Sequence, residues 1–364
     1  MIMADEAHEI DIVDAASVVA LARKLGVDGV MTMQSDIGVP TVGAVVDGLG
    51  LPGVGELVGR RCSNKIETRR CLAAAGVPQP DFRVVQTIES AERAACELGF
   101  PCVIKAPASS GSRGVVKVSD QSEMPAAFAE AMRYAPGGEL LVEAFVCGTE
   151  FGAQSFSVEG RCRLVLPHND TLSDPPYMVP TGHSFPVNLE VGARMRLEAA
   201  VARCVEALGI WSGPANIDLI VHESGEVRII EVGARIGATC LPELVHCFTG
   251  IDWVKETLRA AVGEVPDLKV LRGQPCAAAI LYSKADGSLV EINVLGGTLS
   301  HPNVVEIEVT AAVGDVVSRL RKGTDRIGRV LVKAGSAREA EALVSEICEQ
   351  IHFVVAPEGS FSNE

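Results

Sequence analysis

Residues 102–118, CVIKAPASSGSRGVVKV, constrain the fold more than any other stretch. A lysine closes an apolar run, small residues and glycines follow, and then come Val115, Val116 and Val118. Ser109, Ser110, Gly111, Ser112 and Gly114 offer backbone N–H groups and hydroxyls without bulk, and Lys105 adds a point charge, so the stretch can cradle an anion such as phosphate. The common glycine-rich nucleotide loops run from a strand into a helix. Here the β-branched continuation favours extended backbone. It predicts strand–loop–strand, a hairpin whose tip can fold over a triphosphate as a flap. A glycine-rich turn with no ligand has the same composition.

The chain around this hairpin alternates strands and helices. Residues 16–25 fit an amphipathic helix ended by Gly26, and DGVMTM (28–33) reads as a short strand. VPTVGAVVDGLGLPG reads as a helix and a turn. SNKIETRRCLAAAGVPQP is a helix between a Ser/Asn cap and Gly76. DFRVV is a strand, SAERAACELG a helix capped by Ser90 and Gly99, and PCVIKAP the strand that feeds the loop. A helix (EMPAAFAEAMRYA), a strand (ELLVEAFV) and a strand pair over 151–166 follow. Residues 167–190 read as a long polar, proline-rich connection, of a length that is usually functional. A helix of apolar period (Leu197, Val201, Val205, Leu208) leads to strands at 216–222 and 226–232 and a helix near 252–262. From about residue 265 a further α/β segment begins. These boundaries give an N-terminal α/β domain over 1–62, a central domain over 63–264 with a lid at about 80–147, and a C-terminal α/β segment over 265–364.

Composition excludes several roles. The 364 residues are 48% hydrophobic and 22% charged, enough to bury a core. A formal net charge of −15 and 4% aromatics argue against nucleic acid as a partner. The 11 cysteines are scattered without Cys-x-x-Cys and read as reduced thiols in a cytoplasmic protein. No run of eighteen apolar residues occurs, so no membrane span is expected.

Chemistry gathers in NIDLIVHESGEVRIIEVGAR, residues 216–235. Two β-rich runs flank Ser224-Gly225, which reads as a two-residue turn. That turn sets Glu223 against Glu226 and, counting outward, Asp218 against Glu231. Directly opposed side chains lie roughly 4.5–5.5 Å apart at Cβ. Two carboxylates so close repel, so either one stays protonated or a cation sits between them. A hard divalent ion such as Mg²⁺ suits the second case, and acids on a solvated strand face are the plain alternative. In VEAFVCGTE, Glu143 precedes a short apolar hinge whose backbone groups can read an adenine edge, and Glu150 can accept from ribose hydroxyls. Lys65 stands on a helix, and His183, Tyr177 and Met178 lie in the long connection.

The order of these elements resembles the ATP-grasp superfamily: a helix-borne lysine, a strand-end lysine, a glycine-rich hairpin, a Glu-hinge-Gly-x-Glu segment, and two opposed acids followed by an arginine. Within it the chain looks most like the carboxylate–amine ligases, including L-amino acid ligases, on LPGVGELVGRRCSNKIETRRCLAAAGVPQP, GHSFPVNL, PANIDLIV, RIIEVGARIGA and DRIGRVLVKAGSAREA. The resemblance implies an ATP-grasp fold, α+β in its ATP-binding part. It implies ATP with Mg²⁺, or Mn²⁺ in its place, small carboxylate and amine substrates joined through an acyl phosphate, and a homodimer. Lys65 and Lys105 would bind phosphates, and Ser109, Ser110, Gly111, Ser112 and Gly114 would cover them. Glu143, Phe145 and Val146 would hold adenine, and Glu150 ribose. Asp218 and Glu231 would ligate the metal, Arg235 would face the acyl phosphate, and His183 would line the amino-acid pocket. The chain departs in carrying Gly233 where the superfamily often has Asn, and in lacking the first β–α unit of the usual N-terminal domain. A carboxylase, a purine-pathway ligase and a non-catalytic ATP-binding regulator share the pattern. The carrier lysine of biotin carboxylation, in an Ala-Met-Lys-Met-like context, does not occur in the chain.

Overall fold

Caps and breakers place the first helices. The computed structural model describes residues 4–109, 113–174, 177, 179–271, 273–298 and 301–357. Helix α1 (Ala15–Leu25) starts where Asp14 accepts from Ser17 N–H and stops at Gly26, whose left-handed backbone favours glycine. Helices α2 (Val39–Leu49) and α3 (Glu56–Ser63) follow. Helix α4 (Lys65–Ala74) is capped by Asn64, whose side chain accepts from Ile66 and Glu67 N–H. The strand expected at 28–33 is reduced to one isolated bridge, Met33 with Ile236. It has no strand of its own segment beside it, among the described residues, with which to extend a ladder.

Strands β1 (Phe82–Val85), β2 (Cys102–Lys105), β3 (Val115–Val118) and β4 (Leu140–Ala144) form a sheet in the order β1-β4-β2-β3. Strands β2 and β3 are antiparallel, with Lys105 opposite Val115, so the glycine-rich stretch is the tip of a hairpin. Ser110, Gly111 and Ser112 lie outside the described residues. Helices α5 (Ile88–Leu98) and α6 (Met124–Met132) bury Ala91, Ala95 and Met124 against Ile104, Leu140 and Val142. The cap of α5 is Thr87, three residues before the expected Ser90. Ser90 is the reciprocal half of the capping box, its hydroxyl accepting from Thr87 N–H at 3.0 Å.

The larger sheet has eight strands. They are β5 (Thr149–Val158), β6 (Arg161–Leu172), β7 (Pro180–Phe185), β8 (Gly213–Val221), β9 (Val227–Gly233), β10 (Cys276–Tyr282), β12 (Val304–Val309) and β14 (Arg326–Lys333), in the order β12-β14-β10-β7-β6-β5-β8-β9. Strands after residue 265 therefore continue the sheet that carries Asp218 and Glu231. Strands β11 (Gly287–Val294), β13 (Val316–Val317) and β15 (Ile351–Ala356) make a separate three-stranded sheet. Half of the long connection expected over 167–190 is strand, 167–172 in β6 and 180–185 in β7. His168, Asn169 and Asp170 belong to β6 and Thr181, His183 and Ser184 to β7, and the two strands pair antiparallel with Asp170 opposite His183. Met178 lies outside the described residues, and Tyr177 is exposed.

Alternation divides the large sheet into two unlike faces. Helix α7 (Val191–Leu208) covers one, packing Leu197, Val201, Val205 and Leu208 against Phe151, Ala153, Ile217 and Leu219. Each of these fully buried leucines contributes about 1.5–3 kcal/mol. Part of the other face lies under α8 (Leu241–Thr249) and α9 (Trp253–Ala261), where Phe156, Leu166, Phe185, Leu244 and Trp253 share a core. The rest of that face carries the polar residues described below. Helix α10 (Ala337–Glu349) packs Ala340, Val344 and Ile347 with Ala277 and Val330 on the C-terminal strands. No helix among the described residues is long and apolar enough to cross a membrane.

Candidate functional site

Asp218 and Glu231 are directly opposed on β8 and β9. The turn that joins these strands is one residue longer than expected. His222 N–H donates to Glu226 O, Val221 faces Val227, and Gly225 takes the left-handed backbone. Alone, this would slide the register by one residue and turn Glu231 away. A bulge restores it, because Leu219 faces Ile229 and Asp218 faces Glu231, leaving Ile230 unpaired in β9.

Arg69, which the sequence did not single out, holds that bulge. Its Nη2 donates to Ile230 O at 2.6 Å and its Nη1 to Ile229 O at 3.2 Å. Its Nε donates to Glu143 Oε1 at 2.6 Å, and Lys105 Nζ lies 2.7 Å from Glu143 Oε2. Arg69 and Glu143 are each 2% exposed and Lys105 is 8% exposed. Burial alone would raise the Glu143 carboxyl, but Lys105 and Arg69 outweigh it and bring it down to about 2. Glu143 was expected to meet adenine; its carboxylate is instead taken up by these two cations. The one cluster thus ties α4, strands β2 and β4 of the four-stranded sheet, and β9, the strand of Glu231.

Lys65 opens α4 and reaches two neighbours. Its Nζ donates to Ser109 O at 2.6 Å and lies 3.0 Å from Glu231 Oε1. Lys65, Arg69, Ser109 and Glu231 line one cavity of about 220 Å³ together with Asp36 and Ile37. Just after β4, Phe145 N–H donates to Pro101 O, and Lys117 Nζ stands 4.2 Å over the Phe145 ring. Val146 is half-buried, and Glu150 is exposed at the start of β5. Desolvation and the nearby Asp170 charge raise the Glu150 carboxyl.

On the polar face, cross-strand pairing runs His168–Gly152–Asp218–Glu231 across β6, β5, β8 and β9. Directly paired residues share a face, so these side chains and those two residues away on each strand gather together. Burial pushes the Asp218 carboxyl well above its ordinary range, as do Glu231, Asp170 and Glu150, and Arg235 opposes this only in part. Asn216 Nδ2 donates to Asp218 Oδ1 at 3.2 Å. Such a carboxyl either holds a proton or shares a cation, and the oxygen-only donor pair suits a hard divalent ion.

Arg235 follows β9 and donates from Nη2 to Asp36 Oδ2 at 2.9 Å. Gly233 makes room for this pair: a Cβ there would run into Asp36 Oδ1 and crowd the Arg235 guanidinium. Asp36 Oδ1 and Arg235 Nε have no hydrogen-bond partner among the described residues. His183 is buried on β7, with Nδ1 2.5 Å from Asp170 Oδ1, and His168 Nδ1 lies 2.8 Å from the same oxygen. Burial disfavours the Asp170 charge, yet the two imidazoles more than reverse this and hold its carboxyl below the usual range. Burial lowers His183, which Asp170 partly offsets.

Residues 98–243 match the profile of the ATP-grasp domain, and residues 279–356 that of the L-amino acid ligase C-terminal domain 2. The chain is 32% identical over 305 residues to the uncharacterized protein y4rH of Sinorhizobium fredii, covering 82% of this chain and 62% of that protein. The chain thus spans less than two thirds of that relative's length. The structure of phosphoribosylglycinamide synthetase from Anaerococcus prevotii superposes with a TM-score of 0.82 at 26% identity, over 97% of this chain and 89% of that one. The structure of L-amino acid ligase from Bacillus licheniformis gives 0.81 at 25% identity, over 95% and 85%.

Proposed function

We propose that this chain, whose residues 98–243 match the ATP-grasp domain and 279–356 the L-amino acid ligase C-terminal domain 2, is an ATP-dependent carboxylate–amine ligase acting on amino-acid-like substrates. The observation that carries this reading is the opposed pair Asp218 and Glu231, with Lys65 bridging Glu231 to the base of the glycine-bearing hairpin. The match of residues 279–356 to an L-amino acid ligase domain favours an amide or dipeptide product over a purine-pathway one.

Carboxylates are poor electrophiles, and phosphorylation gives the carbonyl a leaving group. Lys65 and Lys105 hold the phosphates, with Lys105 fixed in place by Glu143. The β2–β3 hairpin covers them and excludes water that would hydrolyse an acyl phosphate. The hinge backbone at Phe145 and Val146 borders the adenine, and Glu150 accepts from the ribose. Asp218 and Glu231 would hold Mg²⁺, or Mn²⁺ in its place, which when bound spreads the charge of the phosphate oxygens. Arg235 stabilises the oxyanion that forms when the amine adds. His183 takes the proton that the amine must lose.

The test is a screen of phosphate release over pairs of amino acids, with mass detection of the product. An amide formed with one ADP and one phosphate per turnover is expected. ATP binding with no acid-dependent ADP release over the whole panel would refute the ligase reading and leave a regulator.

A further inference from the structure

His168 and Asp170 are neighbours of His183 on the same sheet face, and the ligase reaction as derived so far gives them no role. The hydrogen bonds around them fix where their protons sit. Gly237 N–H can only donate, and it meets Gln154 Oε1 at 3.2 Å. The Gln154 amide nitrogen then donates to Asn216 Oδ1 at 2.6 Å and toward His168 Nε2 at 3.4 Å. His168 Nε2 is therefore an acceptor, and the ring's proton is on Nδ1, facing Asp170 Oδ1. The same oxygen accepts from His183 Nδ1. That leaves His183 Nε2 with a lone pair and, among the described residues, no hydrogen-bond partner. Gly152 makes the arrangement fit, because a Cβ there would overlap the His168 ring.

We propose that Asp170 and His168 are positioning residues that lock His183 in the tautomer whose Nε2 accepts the proton of the incoming amine. This rests on the ligase reading. The amine lone pair forms the C–N bond, the C–O bond to phosphate breaks, and the nitrogen's proton passes to His183 Nε2. The resulting imidazolium faces the Asp170 carboxylate, which accepts from its Nδ1–H. The same carboxylate and imidazoles have ligand atoms within 4.8 Å of one another, close enough to hold a metal ion. Ligation through both Nδ1 atoms would leave a proton on His168 Nε2, pointing at the Gln154 N–H₂ group, donor against donor. The proton relay satisfies every one of these bonds and the metal does not.

The test separates the two half-reactions. Hydroxylamine is uncharged at neutral pH and attacks an acyl phosphate without a base, so hydroxamate formation reports activation alone. In Asp170→Asn and in His168→Gln, amide-forming kcat is expected to fall by about 10²-fold or more. KM for ATP should stay close to wild type, and hydroxamate formation should fall far less. ¹⁵N spectra of the wild type should show His183 protonated on Nδ1, and Asp170→Asn should shift that signal toward Nε2–H. No acid-dependent hydroxamate in the wild type would refute the ligase reading itself. With wild-type hydroxamate present, three results would overturn the relay: parallel loss of both activities in both variants, a wild-type His183 protonated on Nε2, or one equivalent of transition metal that His168→Gln releases.

Discussion

Replacing Glu143 by glutamine removes one charge from a place where three are buried together. Its two oxygens accept from Arg69 Nε at 2.6 Å and from Lys105 Nζ at 2.7 Å. The pairing carries the carboxyl from 4.5 down to about 2. At about 1.4 kcal/mol per pH unit, that displacement contributes about 3 kcal/mol to folding. The independent figure for deleting one member of a buried ion pair is about 3–5 kcal/mol. The sign follows from the depressed folded value. The contribution is complete above the unfolded carboxyl's range and is lost as pH falls toward about 2. Glu143→Gln should therefore lose about 3 kcal/mol at pH 7, and the gap should narrow on acidification. Urea unfolding of both proteins at several pH values measures it. A loss below about 1 kcal/mol at neutral pH, the exposed-pair range, or a gap that does not change with pH, would refute the reasoning. KM for ATP should rise in the same variant, since Lys105 loses its anchor.

Other variants test the cleft from different sides. Asp218→Asn should melt above the wild type in chelator, because it removes a carboxyl whose ionisation is disfavoured by burial and by Glu231; thermal stabilisation by Mg²⁺ with ATP should vanish in the same variant. Gly233→Asn should displace Asp36 from Arg235 and lower amide formation by roughly tenfold, the effect of losing about 1.4 kcal/mol of transition-state contact, with a thermal melt checking that the fold survives. Gly152→Ala should cost about 1–3 kcal/mol in urea, the usual penalty for overpacking, since its methyl overlaps the His168 ring.

Much of the fold is legible from local chemistry. Asn64, Gly26 and the valines after Gly114 act through cap geometry and backbone preference, which their own neighbours decide. The opposition of Asp218 and Glu231 was read correctly for an incomplete reason. The turn is a residue too long for the simple count, and the extra residue at Ile230 compensates. That compensation depends on Arg69, distant in sequence, and no periodicity announces a helix-surface arginine as a buried clamp. Only the first part of strand β6 reads as strand in the sequence; residues 167–172 read as connection because His168, Asn169 and Asp170 are polar. His168 and Asp170 lie on the sheet face that carries Asp218, where acids and imidazoles gather, and Asn169, on the opposite face, donates to Ser184 Oγ and Pro186 O. A signal was present in the β-branched and aromatic residues around them, and the two prolines before Tyr177 masked it.

The place of β7 within the large sheet has a practical consequence. One edge of β7 pairs with β6 and the other with β10, which follows about ninety residues later in the chain. A chain ended near residue 264 would strip β10 away and bare a row of amide and carbonyl groups along the strand that bears His183. Such an exposed margin invites pairing with a second copy. Trimming the protein to the residues before 265 should thus yield sticky, self-associating material with its histidine out of line, and not a smaller working unit.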